Sequence, residues 1–222
     1  MFGGEGRKGL NIWDFWDVFW ASEENKPGRL NNNQLGSVDF SFRIPKIDKI
    51  LPVLSSIVVY GELAGEDEAG GFFSRTGYLS GLFLGDLFLT GRTDLRIEYA
   101  NNHVSGHPNL WYSHSVYKSG YTYEDRVIGH HMGSDAKSLF FLITHYLYDN
   151  LMLCTELVSE KRGLSNDVKE TTQHVAFGVT FFGQDHLQLK GSYRYEYIDN
   201  YEFVPDENQK NNVGQFEVTL SF

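Results

Sequence analysis

The chain has 222 residues, a formal net charge of −10 and an isoelectric point near 5.2. That balance excludes a nucleic-acid partner, which would call for a clustered basic surface. Cys154 is the only cysteine, so neither an intrachain disulfide nor a thiolate metal cluster can form.

A mean hydropathy of −0.35 beside 15% aromatic residues suits a strand-rich protein with two differently solvated faces. No apolar run approaches the ~18 residues that a membrane-crossing helix requires, so any crossing would be made by strands. Met1 to Leu10 carries Glu5, Arg7 and Lys8 among glycines and lacks the apolar stretch of a secretory signal. An exported barrel needs such a signal, and the expectation is therefore a fragment, or a chain that begins internally.

Residues 10–21 hold three of the four tryptophans. Ile12, Phe15, Trp16 and Phe19 share one helical face and Asp14 and Asp17 fall outside it, which fits a loop helix packed in a barrel mouth. An interfacial aromatic strand fits equally well. We take 1–36 as an aromatic loop or helix region leading into the strands of 37–222.

From there a period of two dominates. Strands are expected at about 37–44, 55–64, 77–85, 87–100, 137–148, 151–161, 170–182, 186–199 and at the C-terminus, where Phe216, Val218, Leu220 and Phe222 alternate with polar residues. In 87–100, Leu87, Leu89, Leu95, Ile97 and Tyr99 are expected on one face and Thr90, Arg92, Asp94, Arg96 and Glu98 on the other. Residues 45–54, with Ile47, Ile50, Leu51 and Leu54 at helical spacing, predict a short helix. That makes about nine strands, many longer than is usual in globular sheets.

Connections alternate in length. Gly85-Asp86, Asp149-Asn150 and Gly183-Gln184-Asp185 read as tight turns, whereas 65–76, 101–136, 162–169 and 200–212 are long and polar. Short turns on one side and long loops on the other are the pattern of an outer-membrane barrel. A soluble sandwich would also alternate. Charges of both signs on the polar faces and strands of ~12–14 residues favour a hydrated lumen and tilted crossings. Single-chain bacterial barrels have an even strand number, so nine is expected to be part of a larger one. The fold class expected is all-β, an antiparallel transmembrane barrel portion with small helical insertions, Val38, Leu95, Ile97, Tyr193, Tyr195, Val218 and Leu220 facing lipid. An aromatic end to an alternating last strand makes Phe222 a candidate sorting signal for the barrel-insertion machinery.

The densest chemistry lies in the loop 101–136. It holds His103, His107, His114, His130 and His131, five of the eight histidines, with Trp111, Tyr112, Tyr117, Tyr121 and Tyr123. A loop this long is usually functional. Gly106 and Pro108 break the helix that would give His103 and His107 metal-ligand spacing, and Ser113 and Ser115 beside His114 point away from it in extended backbone. No metal, no cofactor and no catalysis are expected. Aromatic rings and planar polar groups supply what a sugar surface needs. The candidate carbohydrate-binding residues are Trp111, Tyr112, Tyr121, Tyr123 and Arg126, with the cations Arg92, Arg96, Lys190 and Arg194. Those cations could equally pair with Asp94, Glu98 and Glu196. The loop could also fold inward as a plug, which is compatible with a sugar site.

At 110–135, Tyr112 with His114 and Tyr117, then Gly120-Tyr121-Thr122-Tyr123, then Ile128-Gly129-His130-His131-Met132-Gly133, resembles the signature of the capsule-assembly (Wzi-like) outer-membrane family. The resemblance runs more loosely to the C-terminus and covers what would be the second half of a member. It implies an eighteen-stranded barrel whose mouth is blocked by loops and which holds capsular polysaccharide at the cell surface without catalysis. The expected partners are then surface polysaccharide, outer-membrane lipid and the insertion machinery. A diffusion porin for small solutes is the alternative.

Overall fold

The computed structural model describes residues 35–66, 75–108, 110–113, 122–123, 126–183 and 187–220. The aromatic segment 10–21, Tyr121 and Phe222 lie outside the described residues.

Nine long strands form one antiparallel sheet in which each pairs with the next along the chain. They are β1 (Leu35–Arg43), β2 (Ser56–Glu66), β3 (Thr76–Gly85), β4 (Thr93–Asn101), then β7 (Ala136–Tyr148), β8 (Leu151–Arg162), β9 (Glu170–Phe182), β10 (Leu187–Asp199) and β11 (Asn208–Leu220). Between β4 and β7 the loop carries a minimal hairpin of β5 (Thr122–Tyr123) and β6 (Arg126–Val127). The sheet is not closed, and β1 and β11 are its two edges.

Residues directly opposite in neighbouring strands share a face, so the register sorts the wall. One row runs Phe42, Val59, Leu82, Ile97, Phe141, Leu157, Val175 and Tyr195 from β1 to β10. The adjacent row on that face contains Leu84, Leu95, Ile143, Phe177 and Tyr193. Val38, Val218 and Leu220 belong to the same face, so all seven residues expected to face outward lie together. Much of the apolar surface of this face is uncovered: Val38 is 57% exposed, Phe42 59%, Phe216 71% and Val218 53%, while Leu95, Ile97 and Tyr195 are half-buried. A continuous exposed apolar band of this kind is the lipid-facing surface of a membrane barrel. The opposite face carries Asp39, Glu62, Glu98, Arg96, Glu156, Glu196 and Arg194, as a hydrated lumen requires.

Three local expectations need correction. The strand predicted to start at Leu87 starts at Thr93; Leu87–Leu89 form a tight 3-10 turn, with Phe88 and Leu89 at φ 68 and 53. The cause is local capping: Asp94 Oδ1 accepts the Asp86 N–H at 2.9 Å and the Asp86 carboxylate accepts the N–H of Gly91. Leu87, Leu89, Thr90 and Arg92 therefore belong to a turn and to neither strand face. The loop predicted over 200–212 shrinks to a 3-10 turn at Tyr201–Phe203, because β11 begins at Asn208, where residues on both faces are polar. The first strand begins at Leu35, so two residues assigned to the leading region are wall.

Other expectations hold. The helix predicted in 45–54 is present as α1 (Ile47–Ile50), with Ile47 and Leu54 buried against the turn end. Asp149 and Asn150 alone connect β7 to β8, with a register shift between Tyr146 and Tyr148.

Candidate functional site

The long-loop end of the sheet is capped by the segment between β4 and β7, and polar side chains at the strand ends hold it down. Asn102, directly after β4, donates Nδ2–H to the Gly133 carbonyl at 2.6 Å and accepts the Ala136 N–H at 2.8 Å, closing the base of the loop. Asp135 accepts from His103 Nδ1 at 2.6 Å, from the Ser165 N–H at 2.8 Å and from Ser165 Oγ at 3.2 Å. It thereby ties this loop to the one between β8 and β9. Glu66, at the end of β2 and 0% exposed, accepts the backbone N–H of Tyr112 at 2.8 Å through Oε2. Glu170 plays the same part at the start of β9, accepting from Arg162 and from the Glu202 N–H. Such enclosed carboxylates are tolerated because each accepts hydrogen bonds that replace water.

Packing completes the anchor. Trp111 is 4% exposed, its six-membered ring lying against Gly77; a Cβ on Gly77 would stand 2.8 Å from Trp111 Cζ2. Its Nε1–H is buried without a hydrogen-bond partner among the described residues. Tyr112, at φ 64, lies over Gly129, and its hydroxyl accepts the His130 N–H at 3.1 Å. Met132 fills the space against Ala100, Ala136 and Leu79. His131 Nε2 reaches Glu160 Oε2 on β8 at 3.1 Å and holds the returning limb to the wall. Glu160 pushes the pKa of His131 up through this hydrogen bond, whereas burial and then the neighbouring His131 push His130 down. Between this limb and the inner face of β1 to β4 lies a cavity of about 360 Å³ lined by Glu62, Leu79, Trp111, Tyr112, His130 and Met132 among others.

The predicted site residues separate in space. Trp111 and Tyr112 are adjacent at the mouth, their rings 6.0 Å apart, but Trp111 is a buried packing residue and presents no open stacking face. Tyr123 and Arg126 pair in the β5–β6 hairpin. The cations are elsewhere. Arg92 lies at the short-turn end, donating Nη1–H to the Leu147 carbonyl at 3.0 Å, with Asp149 at 4.0 Å. Lys190 is opposite Thr180 and Glu217 toward that same end, and Arg194 is opposite Ala176 and Val213. Arg96 pairs with Glu98 at 2.5 Å and lies over the Phe140 ring at 5.5 Å. The expected grouping of aromatics and these four cations in one mouth site is therefore not what the fold builds: Arg96, Lys190 and Arg194 lie along the strands of the wall and Arg92 in the turn at its short-turn end, away from the loop. Glu66, Asn102, Asp135 and Glu160, which build the mouth, were not singled out by sequence reasoning. In sequence a capping carboxylate at a strand end is indistinguishable from a solvated one.

An antiparallel meander with an apolar outer face, a charged inner face and loops packed over one end is a membrane β-barrel wall. The chain belongs to the family described as capsule assembly protein Wzi, whose sequence profile matches residues 1–213. No curated protein matches it. Among solved structures it is similar to Wzi of Escherichia coli, described as an outer membrane protein involved in group 1 capsule assembly and a carbohydrate-binding β-barrel. The match has 22% identity and a TM-score of 0.67, and covers 96% of this chain and 44% of that one. The chain thus spans under half the length of that structure.

Proposed function

We propose that the chain forms wall and mouth of an outer-membrane barrel that holds a surface polysaccharide, as a binding protein and not an enzyme. The observation that carries this reading is the mouth segment folded over the inner wall and fastened through Glu66, Asn102, Asp135 and the His131–Glu160 pair. A diffusion pore needs an open, hydrated lumen, whereas a ligand platform needs its mouth segment held in place. Family membership and the carbohydrate binding described for the similar barrel support the ligand class.

Trp111 frames this platform from below, packed against Gly77 at the edge of the cavity. Tyr112, Tyr121, Tyr123 and Arg126 are the proposed contacts, the tyrosines stacking on sugar rings. The test is polymer retention by cells carrying Tyr121→Ala or Tyr123→Ala, with barrel heat-modifiability checked in parallel. Loss of retention with an unchanged barrel is expected. Wild-type retention and wild-type polymer binding by both purified variants would overturn the assignment.

A further inference from the structure

The outer face is almost without charge, and its exceptions are confined to one end. Following the register from β1 to β11, the charged residues on that face are Lys137, Lys161, Asp199 and Lys210. Lys137 and Lys161 are direct cross-strand partners, the last outward-facing pair before the long loops. Directly opposed like charges destabilise a sheet, and neither lysine has an ion-pair partner among the described residues. Asp199, two strands further on, is already engaged by Asn200 Nδ2 at 3.4 Å. One pleat inward, about 7 Å along the strands, stand Leu139 and Ser159, followed by Phe141 and Leu157. Beside the lysines Tyr78 and Tyr99 pair with centroids 6.0 Å apart, as aromatics do at a membrane interface. The lysines are thus at headgroup depth, and their stems can lie along the apolar surface with the ammonium groups in the polar layer.

Resting on the outer-membrane placement above, we propose that Lys137 and Lys161 form a clamp for the phosphate of an outer-leaflet glycolipid headgroup, the anion relieving their mutual repulsion. Two ammonium groups on facing strands offer charge-assisted hydrogen bonds to one phosphate, and an anionic lipid surface attracts lysines at this depth. The face they occupy points to lipid, so the occupant is the headgroup and not the polysaccharide of the mouth.

The test is native mass spectrometry of the full protein released from mixed micelles containing either a bis-phosphorylated acylated diglucosamine or the same glycolipid without phosphates. The wild type should retain the phosphorylated form, and the double variant K137Q/K161Q should lose at least about tenfold of that retention. Lys137→Arg with Lys161→Arg should keep it, and Lys190→Gln on the inner face should leave it unchanged. In glycolipid-free detergent the double Gln variant should unfold no earlier than the wild type, while only the wild type gains thermal stability on adding the phosphorylated glycolipid. Equal retention by wild type and the double Gln variant would overturn the clamp, as would equal retention of the dephosphorylated glycolipid. Displacement by millimolar inorganic phosphate would make it an anion site only, and loss of polymer binding with glycolipid retention intact would assign the lysines to the polysaccharide. Failure of this test with polymer retention preserved at the mouth would leave the proposed function standing.

Discussion

Glu66 Oε2, enclosed at the outer end of β2, accepts the backbone N–H of Tyr112 at 2.8 Å, so a strand-end carboxylate sets the position of a loop 46 residues away. Glu66→Ala would leave that N–H without its buried acceptor at a cost of about 1–3 kcal/mol. We expect the 110–113 segment to be released first, read as faster proteolysis or hydrogen exchange there while the strands stay protected.

The contact of Trp111 with Gly77 predicts steric sensitivity. A Cβ placed 2.8 Å from Trp111 Cζ2 must displace the indole, so Gly77→Ala should cost about 1–3 kcal/mol. Trp111→Ala, which removes the packing altogether, should cost about 3–5 kcal/mol. Chemical unfolding in detergent measures both. Wild-type stability for Gly77→Ala would contradict the placement of the indole.

The two faces of the wall should differ in their tolerance of charge. Ile97, flanked by Leu82 and Phe141, faces lipid, and Ile97→Arg should cost about 2–4 kcal/mol. Ser192, on the inner face opposite Gly178, should accept Ser192→Arg with little loss. Equal costs in lipid would rule out the assignment of the faces.

The His130–His131 pair predicts a mouth most firmly docked near neutral pH. His131 has its pKa raised by Glu160, so its contribution is complete below the unfolded value of about 6.5 and is lost as pH rises through the folded value. His130 is lowered by burial, so its contribution is present above about 6.5 and is lost as pH falls through the folded value. Hydrogen exchange of 128–134 should show His131→Gln removing the alkaline loss and His130→Gln the acid loss. A pH-independent mouth in the wild type would sink both assignments.

A fastened mouth also predicts little or no steady current from the protein reconstituted in planar bilayers. Glu66→Ala, which releases part of the fastening, should raise the frequency of openings. A large constant current from the wild type would favour the channel reading.

The sequence by itself determined that about nine long strands form the wall and which two faces they have; the short strands β5 and β6 were not read from it. A residue every 3.4 Å with alternating direction writes lipid and lumen directly into the order of residues, as Ile97 beside Arg96 and Tyr195 beside Arg194 show. The 3-10 turn at Leu87–Leu89 escaped it because the leucines continue the apolar alternation while Asp86 and Asp94 cap the backbone in another direction. The start of β11 at Asn208 escaped it for the opposite reason, since neither face there is apolar. The resemblance at 110–135 pointed to the loop that folds over the wall, but only the tertiary structure decided that Trp111 is buried. Trp111 is enclosed because Gly77, on β3, leaves room for it, and the loop stays over the wall because Glu66, Asp135 and Glu160 meet backbone and histidine groups distant in sequence. Those contacts depend on register between strands, and periodicity within one strand carries no information about them.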